Sequence, residues 1–203
     1  MNKKNILTVI IFLFFHHTAL ANIDGARTYV HNTAENIFNI LQQQKETLLI
    51  REELIKYIKE QTDIAWISKF VLGKNWHNTT SSQRENFIKL FEQYLIYNYA
   101  PKFQGYKNET YEITKVTEVA TGKYISKITL NLSSDSSILL DVFILEKKHN
   151  IYKIVDISGE GISFAATQRA EFNSMIGTYG LEEFLVILAK KVASLKQNYY
   201  AMR

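Results

Sequence analysis

The residues most capable of chemistry lie in DISGEGISFAATQRAEF, residues 156–172, between a strand-like run, NIYKIVDI, and a helix-like one. Gly161-Ile162-Ser163-Phe164-Ala165 is one residue short of the G-x-S-x-G elbow that presents a nucleophilic serine in hydrolases. Gly159 and Gly161 also begin a G-x-G, the opening of a dinucleotide-binding loop. Both readings fail on their surroundings. The hydrolase fold places its acid and histidine after the serine, whereas His31, His77 and His149 all precede Ser163. Its parallel sheet also needs helical crossovers, and the strands here follow one another as hairpins. The third glycine of the nucleotide loop falls on Phe164, with no βαβ unit around it. Ser163 therefore reads as a helix N-cap or turn serine. Asp156 and Glu160 could form an acid/base pair, but a strand-end cap and a surface carboxylate suit them better. Scattered histidines without an H-E-x-x-H spacing offer no metal site, so no cofactor is expected.

The chain begins MNKKNILTVIIFLFFHHTALA: two lysines, an apolar run from Ile6 to Phe15, and Ala19-Leu20-Ala21. That is the three-part export signal with small residues at the cleavage site, and the run is too short for a bilayer span of about 20 residues. Cleavage is expected after Ala21, leaving residues 22–203 as a single domain. Lys3 and Lys4 leave with the signal, so the formal net charge falls from +4 to +2 and argues weakly, if at all, for nucleic acid. The chain has no cysteine, hence no disulfide framework and no cysteine at the cleavage site to carry a lipid.

The elements that position these residues are legible from periodicity. Residues 24–62 read as two helices divided near QQQKET. Asp63 is a plausible cap and Gly73 a stop for IAWISKFVLG, and a long aromatic helix after NTTSS ends at Pro101, the one proline. YEITKVTEV and GKYISKITLNLS then alternate, while SSILLDVFILEKK is apolar throughout and suits a central strand hairpinned to IYKIVDIS. Two helices separated by Gly180 finish the chain. Helices, about four antiparallel strands, then helices make the class α+β.

Within that frame, YKIVDISGEGISFAATQRAEF resembles a signature of the MlaC family, periplasmic phospholipid-binding proteins also called toluene-tolerance proteins. The resemblance rests on Tyr152, Asp156, Glu160, Gly161, Ser163, Arg169 and Phe172, and on a second block carrying Phe70 to Gly73, Trp76, Gln83-Arg84 and the aromatic helix to Tyr99. Tyr152 stands where tryptophan is usual and Phe143 where tyrosine is usual. The resemblance implies an NTF2/cystatin-like fold, a helical layer on a curved antiparallel sheet with an apolar lipid cavity between them. It also implies a periplasmic carrier without enzymatic activity, phospholipid as cargo, and two membrane partners. These are an outer-membrane lipoprotein/porin complex and an inner-membrane ABC transporter with its lipid-binding ring subunit.

Each acyl methylene exposed to water costs about 0.8 kcal/mol, so two chains of roughly fifteen carbons oppose escape by about 24 kcal/mol. A carrier must offer an equivalent apolar surface. Under the resemblance, the lipid-binding set is Phe70, Leu72, Trp76, Phe87, Phe91, Leu95 and Tyr99 facing Ile128, Leu130, Leu140, Val142 and Ile144. Periodicity alone fits an ordinary close-packed core equally well. Trp76 either lines the pocket mouth or anchors its loop. Arg84 and Arg169 either meet a headgroup phosphate or form structural ion pairs, Arg169 with Asp156 or Glu160. The competing functions are a small-molecule enzyme using Asp156 and a tyrosine, and an interaction module with a filled core.

Overall fold

The computed structural model describes residues 18–103, 109–132, 136–148 and 150–201, without the side chains of 18–22, 102 and 103. Residues 1–17 of the expected export signal lie outside these. Helix α1 (Thr18–Leu41) is followed, after the predicted break, by α2 (Thr47–Gln61). Asp63 caps α3 (Ile64–Leu72) by accepting the Trp66 N–H at 2.9 Å, and Gly73, at φ +56°, stops it. A 3-10 turn, Gly73–Asn78, leads to α4 (Ser81–Tyr99). That helix starts with a reciprocal capping box: Thr80 Oγ1 accepts the Gln83 N–H and Gln83 Oε1 accepts the Thr80 N–H. It gives way to a second 3-10 turn at Ala100–Phe103, which contains Pro101.

Five strands follow: β1 (Thr110–Ala120), β2 (Lys123–Asn131), β3 (Ser137–Lys148), β4 (Ile151–Gly159) and the two-residue β5 (Ile162–Ser163). They lie side by side in chain order, each antiparallel to the next. The expected four strands are present; β5 adds a short return that pairs Ser163 with Ser158. Bulges interrupt β1 and the β3–β4 ladder, bending the strands locally. Helices α5 (Phe164–Tyr179) and α6 (Leu181–Ala201) close the chain, divided at Gly180 (φ +78°), whose N–H bonds to the Ile176 carbonyl.

Neighbouring residues of a strand point to opposite faces, and β3 is apolar on both. Phe143 and Leu145 meet the bundle of α3 to α6, whereas Val142 and Ile144 meet α1. The sheet is therefore sandwiched: the four-helix bundle on one face, α1 on the other. A third cluster, Ile40, Leu41 and Leu54, joins α1 to α2.

Candidate functional site

The opening stretch is structural. Ser163 Oγ accepts the Ala166 N–H at 2.9 Å, capping α5, and donates to Asp156 Oδ2 at 2.5 Å. Asp156 Oδ1 accepts the N–H groups of Ala165 and Ile157. The hydroxyl is committed to a carboxylate and a helix end rather than to a histidine, and both carboxylate oxygens hold the strand-to-helix turn. Glu160, at φ +50°, accepts the Leu139 N–H. Among the described residues no group of three or more histidine, aspartate or glutamate side chains could hold a metal.

The bundle face gathers most of the predicted helical residues. Phe87, Phe91 and Leu72 are fully buried. Phe87 stacks on Phe91 at 5.6 Å between ring centres, and Phe172 and Phe184 close the cluster at 5.1 to 6.2 Å. This is interdigitated aromatic packing that leaves the rings no free face. Leu95 is half-buried beside it, and Tyr99 meets Phe164 edge-on at 5.1 Å. Burial pushes the Tyr94 phenol of this layer up to about 12. Outside Phe143, Leu145 and Val155 the same sheet face is mixed, with Ile125 and the exposed Leu139 among Lys115, Thr129 and a Lys127–Asp141 ion pair at 3.1 Å.

Trp76 is anchored. Arg84 lies 5.2 Å over its ring, and Arg84 Nε donates to the Trp76 carbonyl and to Thr79 Oγ1. Arg169 pairs neither with Asp156, whose oxygens hold the turn, nor with Glu160, which accepts the Leu139 N–H of β3. Its guanidinium instead sits 5.0 Å over the Phe70 ring, filling the space beside Gly73. A planar cation gains more from an aromatic face here than from carboxylates already holding N–H donors.

The predicted sheet residues lie on the other face, so the expected confrontation with the α4 aromatics does not occur. Alternation places Tyr124, Ser126, Ile128 and Leu130 of β2 beside Ile144, Val142, Leu140 and Ile138 of β3. Tyr111, Ile113 and Val116 extend this surface into β1, and Tyr152 and Ile154 into β4. Helix α1 lays Ala26, Tyr29 and Val30 over it, chiefly along β1 and β2. The fit is close at Gly25, where a β-carbon would stand 2.4 Å from the Tyr152 hydroxyl. Burial raises the phenols of this face: Tyr29 to about 12, and Tyr124 further, helped by the carboxylates of Glu118 and Glu146. Ser126 is fully buried among aliphatics, and its hydroxyl has no hydrogen-bond partner among the described residues.

Past the reach of α1 the apolar surface continues. Ile157 pairs with Val142, and Ile162 with Gly159, on this same face; they are 43% and 69% exposed. Leu130, Ile138 and Leu140 are half-buried next to them. The face is thus wider than the helix covering it. Two surface clefts of about 400 Å³ lie elsewhere, one at the β3–β4 hairpin and one between α2, α4 and α6, and neither takes in any of the twelve predicted residues.

Comparison with known proteins agrees with this architecture. The profile of the MlaC protein family matches residues 31–190. This chain belongs to the MlaC family. Over 194 residues it is 22% identical to the intermembrane phospholipid transport system binding protein MlaC of Haemophilus influenzae, spanning 89% of this chain and 88% of that protein. A solved structure of the phospholipid-binding protein from Ralstonia solanacearum, in complex with a phospholipid, shares the fold at a TM-score of 0.71 and 21% identity. The match covers 86% of this chain and 98% of that one. Sequence reasoning reached the family but missed Ile138, Ile157 and Ile162 as members of the open face, and Ser126 as a buried residue of its covered part. Their signal was present for β3, since Ile138 shares the parity of Leu140, Val142 and Ile144. Ile157 could not be assigned a face, because the bulge at Val155 shifts the phase of β4.

Proposed function

We propose that this MlaC-family chain is a periplasmic phospholipid carrier, exported by residues 1–21 and working as the single domain 22–203. It shuttles lipid between an outer-membrane complex and an inner-membrane ABC transporter, without resident cofactor or covalent chemistry. The carrying observation is the apolar sheet face that α1 only partly covers. Acyl chains laid along Leu130, Ile138, Leu140, Ile157 and Ile162 would cover hydrocarbon the protein itself leaves open, and each methylene so sheltered contributes about 0.8 kcal/mol. The Phe87 and Phe91 layer serves as the rigid core against which the sheet is braced. Burying hydrocarbon requires shape and apolar area rather than charge, which fits the uncovered end of this face, where Leu130, Ile138, Leu140, Ile157 and Ile162 gather while Glu118 and Glu146 lie at the other end beside Tyr124. Organic extraction of protein purified from the periplasm, followed by mass spectrometry, tests this. Phospholipid near one molecule per chain is expected, and protein that emerges empty after mild purification overturns the reading.

A further inference from the structure

The lipid reading leaves unused several residues of the two motif blocks, and the fold brings them together on one flank of the bundle. The stretch Ile64 to Arg84 holds Lys69, Lys74 and Arg84 and no acid, a net charge of +3 with histidine neutral. Asn75 Nδ2 donates to Asn173 Oδ1 at 2.7 Å, and Asn173 Nδ2 donates to the Val71 carbonyl, tying α5 to α3 and the first 3-10 turn. Helix α5 adds Arg169, a fourth cation. Among the described residues none of the four is ion-paired. The acids at the borders are committed or turned aside. Asp63 holds Lys147 and the Trp66 N–H, and Asp156 holds the α5 cap. Glu171 meets Gln168 and neighbours Tyr94 and Tyr99, on the α4 side of α5. Glu85 is about 100° round α4 from Arg84. Glu182 and Glu183 stand on the first turn of α6, where they complement its dipole.

Both guanidinium groups are pre-oriented by aromatic rings. Arg169 lies over Phe70, which stacks on Trp66 at 5.6 Å, and Gly73 leaves room where a β-carbon would come within 2.9 Å of Arg169 Nη2. Arg84 lies over Trp76 with its Nε bonded to the Trp76 carbonyl and Thr79, so its Nη groups have no partner among the described residues. A guanidinium held flat on a ring keeps its N–H edge for a carboxylate and loses little freedom on meeting one. Both tryptophans of the chain are here, and Trp66 is 36% exposed. Tryptophan and arginine are the residues that most often anchor protein interfaces. The exposed side chains of α3 are Ala65, Trp66 and Lys69, so no large aliphatic stands out to enter a bilayer. Neither of the two clefts takes in Lys69, Lys74, Arg84 or Arg169, which suits a polypeptide laid across the surface better than a small molecule.

We infer that this surface docks an acidic segment of a partner protein. Its carboxylates meet Lys69, Lys74 and the outward edges of Arg169 and Arg84, while Trp66 supplies apolar contact. Phe70 and Trp76 pack on the bundle core, whereas the uncovered apolar face lies on the other side of the sheet. A partner held here therefore leaves that face open. The inference does not rest on the carrier reading.

Titration of the purified mature protein with short poly-L-glutamate tests it, followed by calorimetry and by the emission of Trp66 and Trp76. Saturable binding that shifts the emission and weakens as salt is raised is expected. Lys69→Glu with Lys74→Glu should weaken it by about tenfold or more. Arg169→Lys keeps the charge but loses the planar fork, and should weaken it severalfold at unchanged salt dependence. Lys190→Glu with Lys191→Glu makes the same charge change on the exposed flank of α6 and should leave affinity within about twofold, since charges beyond about 8 Å are screened. No binding, binding with silent tryptophans, or equal loss from both charge-reversed pairs overturns the inference. So do vesicles containing phosphatidylglycerol that shift the emission where polyglutamate does not, and inorganic phosphate that displaces polyglutamate at equal charge. Polyglutamate binding by protein that extracts without phospholipid would leave this inference standing and remove the carrier reading. Lipid-loaded protein indifferent to polyglutamate would do the opposite.

Discussion

Replacing Leu130 by tryptophan distinguishes an open lipid face from a filled core at one position. Leu130 is half-buried on β2, between Tyr111 of β1 and Ile138 of β3, at the border of the area that α1 covers. Were protein atoms packed over this position, the added volume would cost about 1–3 kcal/mol by overpacking. For a domain of this size 1 kcal/mol lowers Tm by about 2–4 °C, so the shift would be about 2–12 °C. Were the face open to acyl chains, the indole would occupy lipid space. Tm of delipidated Leu130→Trp should then stay within about 2 °C of the delipidated parent, while extracted phospholipid per chain falls severalfold. Delipidated samples are essential, because bound lipid stabilises the native state by mass action. Ile128→Trp is the packed counterpart: Ile128 is 8% exposed in the α1 cluster and should show the full overpacking shift. Thr129→Trp points to the polar side of the opposite face and should alter neither quantity. Melts by circular dichroism and lipid counts by mass spectrometry decide between them. A large Tm loss in Leu130→Trp with undiminished lipid per folded molecule would refute the placement of the acyl chains.

Phe87→Ala should cost about 3–5 kcal/mol, as a fully buried ring lost from a four-ring cluster, yet leave lipid per folded molecule unchanged in extraction. Ser163→Ala removes the α5 cap and should cost about 0.5–2 kcal/mol in denaturant melts; esterase activity in the parent that disappears in this variant would restore a catalytic serine. Burial alone would raise Asp63, but its hydrogen bonds from Lys147 and the Trp66 N–H and the nearby lysine charges outweigh it and hold the carboxyl below its ordinary value. A depressed native pKa adds stability above the unfolded pKa and loses it as pH falls through the native one. Asp63→Asn should therefore flatten the decline of Tm below about pH 4, and an unchanged acid limb would refute the coupling. The exported protein should begin at Asn22; Edman sequencing of periplasmic material that still holds Lys3 and Lys4 would contradict the signal.

Local chemistry determined the elements and their ends. Asp63, the Thr80–Gln83 box, Ser163 and Gly180 act on backbone groups within one or two turns, so their roles at helix ends were readable from neighbours in sequence. The hairpin order of the strands followed from short connections, and the two motif blocks identified the family. What tertiary structure alone decided was which helix meets which face. The uniformly apolar β3 signals burial on both sides, but alternation assigns only parity, not the partner of each parity. The pairing of Val142 and Ile144 with α1, and of Phe143 with the bundle, arises from the path of the chain around the sheet, summed over many contacts far apart in sequence. Arg169 shows the same limit at the scale of one side chain. Its sequence neighbours offered carboxylates, but the fold had already spent Asp156 on the α5 turn and brought Phe70 beneath the guanidinium. The width of the sheet face relative to α1, on which the lipid reading depends, exists only once five strands are laid side by side.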